Sequence, residues 1–83
     1  MIRLLYFARL REALGSVGEE LAPQAGLTVE ALMQQLAQRG GVWAEEFGSG
    51  KSLRAAVNQT LAPVTTEIHD GDEVAFFPPV TGG

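Results

Sequence analysis

The sequence predicts an α+β two-layer domain: one amphipathic helix laid across one face of a small sheet. Short runs rich in branched and aromatic residues occur at both ends of the chain and near residue 55. Only one stretch, Thr28 to Arg39, carries an extended helical stripe. No linker or repeat divides the 83 residues into two domains. A single helix covers only one face of such a sheet, which makes two layers the expected arrangement.

Ile2 to Ala8 reads as the first strand, with Ile2, Leu4 and Tyr6 on one face and Arg3, Leu5 and Phe7 on the other. A short helix follows over Arg9 to Leu14 and stops at Gly15. Val17 to Leu21 forms a short second strand, closed by Pro23. In the long helix Thr28 is the N-cap and Leu27 with Leu32 forms a hydrophobic staple. Val29, Leu32, Met33, Leu36 and Ala37 make its apolar stripe, Arg39 suits its negative end, and Gly40-Gly41 stops it. Val42, Trp43 and Phe47 are read as one loose turn over the core, and Gly48-Ser49-Gly50 as a loop. Leu53 to Asn58 is a third strand, Asn58-Gln59 turns it into Thr60-Leu61-Ala62, and Asp70-Gly71-Asp72 turns into a last strand, Glu73 to Phe77.

Composition narrows the function classes. No apolar stretch approaches the ~20 residues of a membrane helix. The opening Met1 to Phe7 lacks the length and cleavage site of a signal peptide, so a cytoplasmic location is expected. Cysteine is absent, which removes thiol nucleophiles, disulfides and thiolate metal sites. A net charge of −4 with scattered arginines argues against nucleic acid and for a partner with basic residues.

Most apparent motifs reduce to ordinary structure. Gly48 to Ser52 has the Gly-Lys-Ser of a phosphate loop, but Glu45 stands where its first glycine belongs and a strand follows instead of a helix. His69 has no motif partner, Asp70 and Asp72 are turn chemistry, and the pairs Glu19-Glu20 and Glu45-Glu46 read as solvated surface. No metal site is expected.

The C-terminus is different. Gly82-Gly83 follows the stiff Pro78-Pro79 and gives a thin thread ending in an unhindered carboxylate. Residues 1–79 are expected to form the domain and 80–83 a flexible tail; extended, the six residues from Pro78 reach about 20 Å. If the first and last strands pair, Arg3 and Glu73, Leu5 and Ala75, and Phe7 and Phe77 share the face away from the helix. That face is either covered by Arg11, the short helix or the Trp43 region, or it is a docking patch beside the tail.

Val57-Asn58-Gln59-Thr60 and the stretch from Asp70 through Phe76-Phe77-Pro78-Pro79-Val80-Thr81-Gly82-Gly83 closely resemble the small subunits of molybdopterin synthase, as does Leu5 to Glu12. These are ubiquitin-like sulfur carriers with a β-grasp fold. The resemblance implies a mixed sheet of about five strands, a long helix on one face and a short helix after the first strand. It implies that Gly83 is adenylated by a ubiquitin-activating-enzyme-like adenylyltransferase, converted to a thiocarboxylate, and gives its sulfur to a cyclic pterin precursor in the large subunit. Gly82 keeps the tail thin; Phe7, Arg11, Phe77, Pro78, Pro79, Val80 and Thr81 are expected to meet the partner, as part of a heterotetramer. No bound cofactor is expected, ATP being used by the activating enzyme, and the chain is not expected to be an enzyme on its own. Sulfur supply for the thiamine thiazole, a ubiquitin-like modifier joined to lysines, and a plain interaction module are the competing readings.

Overall fold

Burial along the first strand follows strict alternation: Ile2, Leu4 and Tyr6 are buried, Arg3 is exposed and Leu5 half-buried. That period of two is the signature of a strand with one face on a core. The computed structural model describes residues 1–48 and 53–79. In chain order the elements are β1 (Ile2–Tyr6), α1 (Ala8–Leu14), β2 (Gly18–Leu21), α2 (Val29–Ala37), α3 (Gly41–Phe47), β3 (Arg54–Val57), β4 (Thr60–Ala62) and β5 (Glu73–Phe77). The strands form one sheet in the order β2-β1-β5-β3-β4. β1 and β5 are parallel, in register from Arg3 opposite Glu73 to Tyr6 opposite Phe76, and the other pairs are antiparallel. The mixed five-stranded sheet is the expected one.

The α2 N-terminus is set by its sequence. Thr28 Oγ1 accepts a hydrogen bond from the Ala31 N–H at 3.1 Å, and Leu27 is buried at the staple position. Val29, Leu32 and Leu36 are buried, with Met33 and Ala37 packed at the margin. The helix ends at Ala37, two residues short of the expected Arg39. Arg39 and Gly40 then make tighter last-turn bonds, to the carbonyls of Leu36 and Ala37. The Asn58-Gln59 hairpin has φ of +52° and +69° at its two central residues, the left-handed pair that matches strand twist.

Three expectations are corrected. β1 stops at Tyr6, not Ala8: Phe7 is the N-cap of α1, and Ala8, with φ +56°, turns the chain. The loose turn at Val42, Trp43 and Phe47 is a seven-residue helix, α3, too short and too closely bounded by glycines to show a period. The acid pairs are not simple surface. Glu46 is 5% exposed and takes Arg9 of α1 at 3.3 Å, while Glu45 is exposed. Glu19 points to the helix side of β2, where Tyr6 donates its hydroxyl proton to it at 2.9 Å and Arg39 clasps both carboxylate oxygens at 2.8 and 2.7 Å.

Those two carboxylates organise the cover over the helix-side face. The Arg39 guanidinium lies 4.4 Å from the Trp43 ring centre, a cation–π contact. Trp43 meets Tyr6 edge-on at 5.6 Å and stacks with Phe47 at 6.0 Å; Phe47 meets Phe76 edge-on at 5.3 Å. Trp43 therefore packs on the same side as α2, not on the opposite face of the sheet. Hydrogen bonds from Arg39 hold the Glu19 carboxyl below the usual range, and burial together with Glu19 raises the Tyr6 phenol.

A depressed carboxyl pKa means stability that is present above the ordinary value of 4.5 and lost as pH falls through the lower, folded value. Glu19→Gln is expected to cost about 1–2 kcal/mol at pH 7, since hydrogen bonds to a charged group are lost. In urea titrations the gap between wild type and variant should shrink between pH 7 and acid pH below 4.5. A gap that is equal at both pH values would show that the carboxylate charge is not what matters.

Candidate docking face

Strand register fixes what the bare face presents. Across it run Gly18, Leu5, Ala75, Ala56 and Leu61, each opposite the next on a neighbouring strand. This band is apolar from one edge of the sheet to the other. Leu61 is 62% exposed, whereas Ala75, hemmed by strands on both sides, is 9% exposed. Gly18 sits against β1 so closely that an added Cβ would lie 2.2 Å from the Leu4 carbonyl oxygen, with φ at +159°. Its place in the band is therefore flat by necessity.

On one side of the band, where β5 ends, lie Phe7, Phe77 and Arg54. Phe77 is half-buried and stands opposite Arg54 of β3. Phe7 is 44% exposed; its extended backbone continues the alternation of β1, and its N–H donates to the Phe76 carbonyl at 3.1 Å. The expected pairs Arg3–Glu73 and Leu5–Ala75 are in register. Arg11 is exposed on α1, and Pro78 and Pro79 are half-buried beyond β5. Val80, Thr81, Gly82 and Gly83 lie outside the described residues, as does the phosphate-loop-like stretch 49–52.

On the other side of the band the surface is polar. Met1, Arg3, Glu20, Asn58, Gly71, Asp72 and Glu73 line a depression of about 400 Å³. Its groups are largely spent on each other. The Asp72 carboxylate accepts from the His69 backbone N–H at 2.8 Å and from Asn58 at 2.9 Å, and these bonds hold its carboxyl below the usual range. The Met1 ammonium pairs with Asp70. His69 itself is exposed, 3.7 Å from Glu67 and 3.9 Å from Asp72. It thus has two carboxylate neighbours that its sequence context did not announce. Among the described residues no three His, Cys, Asp or Glu side chains are grouped to hold a metal.

Sequence reasoning missed Leu61 and Ala56 as parts of this face. The signal was the two-residue hairpin: it fixes Val57 opposite Thr60, and hence Ala56 opposite Leu61 on the outward side.

Comparison with known proteins places this geometry. The model of the ThiS family matches residues 4–83. The molybdopterin synthase sulfur carrier subunit of Escherichia coli K12 is 52% identical over 83 residues, covering 100% of both chains. That of Haemophilus influenzae is 46% identical, again over 100% of both. Among solved structures, SAMP1 from Haloferax volcanii superposes with a TM-score of 0.78 at 26% identity, over 99% of this chain and 98% of that one. A β-grasp domain with one covered and one open sheet face, matched from Leu4 to its final residue, belongs to the ThiS family.

Proposed function

We propose that this chain is the sulfur carrier subunit of a molybdopterin synthase, working in the cytoplasm and supplying no catalytic machinery of its own. The observation that carries this is its end-to-end similarity to sulfur carrier subunits. The open apolar face beside the end of β5 supports it, because a carrier must be held by a partner while its tail reacts.

The chemistry belongs to the tail. A carboxylate is a poor electrophile, so a Gly83 oxygen attacks the α-phosphorus of ATP in a separate adenylyltransferase, and pyrophosphate leaves. Sulfide, released from a persulfide by a thiol that is oxidised to a disulfide, adds to the acyl carbon and AMP departs. The resulting thiocarboxylate carries sulfur on a chain that has no cysteine. Docked in a heterotetramer with the large subunit, the tail gives that sulfur to a cyclic pterin precursor. Phe7 and Phe77 seat the domain, with Arg11 at the rim. Pro78 and Pro79 stiffen the start of the tail, and Val80 and Thr81 carry Gly82 and Gly83 inward.

Deleting Gly83 should leave the melting temperature unchanged and abolish thiocarboxylate formation with ATP, activating enzyme and a sulfur source, read by intact mass. Sulfur transfer at the wild-type rate by the shortened chain would contradict the assignment. Gly82→Val should slow activation or transfer without altering the circular dichroism spectrum, because a branched side chain thickens the thread. A wild-type rate there would mean the tail binds in an open groove. Phe7→Ala should weaken binding to the large subunit by about thirtyfold, the effect of a 2 kcal/mol hot spot. If that variant unfolds and its folded fraction binds normally, Phe7 is a core residue.

A further inference from the structure

The docking face is electrically uneven along its strands. Beyond the apolar band on the polar side stand Glu20, Glu73, Asp70 and Asp72, against Arg3 and the Met1 ammonium. Arg3 lies between Glu20 and Glu73 in register, so that side keeps an acidic excess. On the side where β5 ends, Arg9 is spent on Glu46, and Arg11 lies off the sheet, on α1. Among the described residues, Arg54 is the cation that stands on the sheet in the Phe7–Phe77 row.

Arg54 has no evident role in the isolated domain. It is exposed, it sits on an interior strand between β5 and β4, and its neighbour on β5 is Phe77. Among the described residues no carboxylate lies within ion-pairing distance of its guanidinium. A charge on an interior strand does not guard a sheet edge, which is the usual structural reason for placing one on a sheet. We propose that Arg54 is the orienting cation of this face, meeting a carboxylate on the large subunit at the rim where the tail is received. This rests on the docking reading above. The partner surface it fits carries acid at that rim and base opposite Glu20 and Glu73, so the carrier is steered with its tail toward the receiving site. A domain with a net charge of −4 gains most from such steering if an exposed cation in the apolar row marks the tail end.

The test is association kinetics of the full chain with purified large subunit by stopped flow, at about 20 mM and about 500 mM salt, where screening lengths differ severalfold. Arg54→Glu should associate roughly tenfold more slowly than wild type at low salt, with the gap closing at high salt and dissociation little changed. Arg54→Gln should fall between, and both should melt as wild type does. Wild-type association for Arg54→Glu at low salt, while Phe7→Ala still weakens binding, overturns the role of Arg54 alone. Faster association for Arg54→Glu overturns it too, by showing a basic rim. If Phe7→Ala and Arg54→Glu are both silent, the docking face itself is misplaced.

Discussion

β1 and β5 run parallel at the centre of the sheet, with Leu4 opposite Val74 and Tyr6 opposite Phe76. Everything else is arranged around that pairing. Because the two strands point the same way, the end of β5 comes out beside Phe7 and the start of α1. Parallel neighbours need a crossover connection, and the intervening chain supplies it, laying α2 and α3 over one face. The Phe7 N–H bond to the Phe76 carbonyl closes the ladder at this end. The chain therefore leaves β5 at the corner where Phe7, Phe77 and Arg54 meet. A shift of one residue in this register would exchange the two faces of β5, putting Ala75 in the core and Phe76 outside.

The two faces have opposite logic. Large side chains fill the helix side: Tyr6, Phe47 and Phe76 interlock with Leu32, Leu36 and Leu10. Small ones floor the other side, with Gly18, Ala75 and Ala56 between Leu5 and Leu61. A floor of small residues is flat, and a flat apolar floor suits a partner surface better than it suits water. The sheet edges are treated differently. Ser16 donates to the Gly18 carbonyl and accepts from its N–H, both at 3.2 Å, which occupies the backbone groups at the start of the β2 edge. On β4, Pro63 follows directly and has no N–H to give. Blunted edges beside an open face direct association to the face and away from strand addition.

How much of this was legible depends on whether the signal was local. α2 could be read because Thr28, Leu27 and the stripe from Val29 to Ala37 all lie in one segment. The last strand and its turn were readable from Asp70-Gly71-Asp72 and the apolar run that follows. The pairing of Arg3 with Glu73 came from supposing that the two terminal strands are neighbours, and the register agrees. What was missed depended on distant partners. Glu19 and Glu46 look like surface acids until Arg39, Tyr6 and Arg9 are brought to them by the fold. α3 has only seven residues, which holds too few turns to show a stripe. Leu61 gained meaning only once the hairpin set it opposite Ala56.

The central claim is that the carrier is held by the sheet face opposite α2. Cross-saturation NMR on deuterated, amide-protonated carrier bound to protonated large subunit reads that contact directly. Saturation should concentrate at Phe7, Leu5, Ala56, Leu61 and Phe77, and spare Glu30 and Gln34 on the outer side of α2. Saturation centred on α2 and α3, with β1 and β5 untouched, would contradict the account.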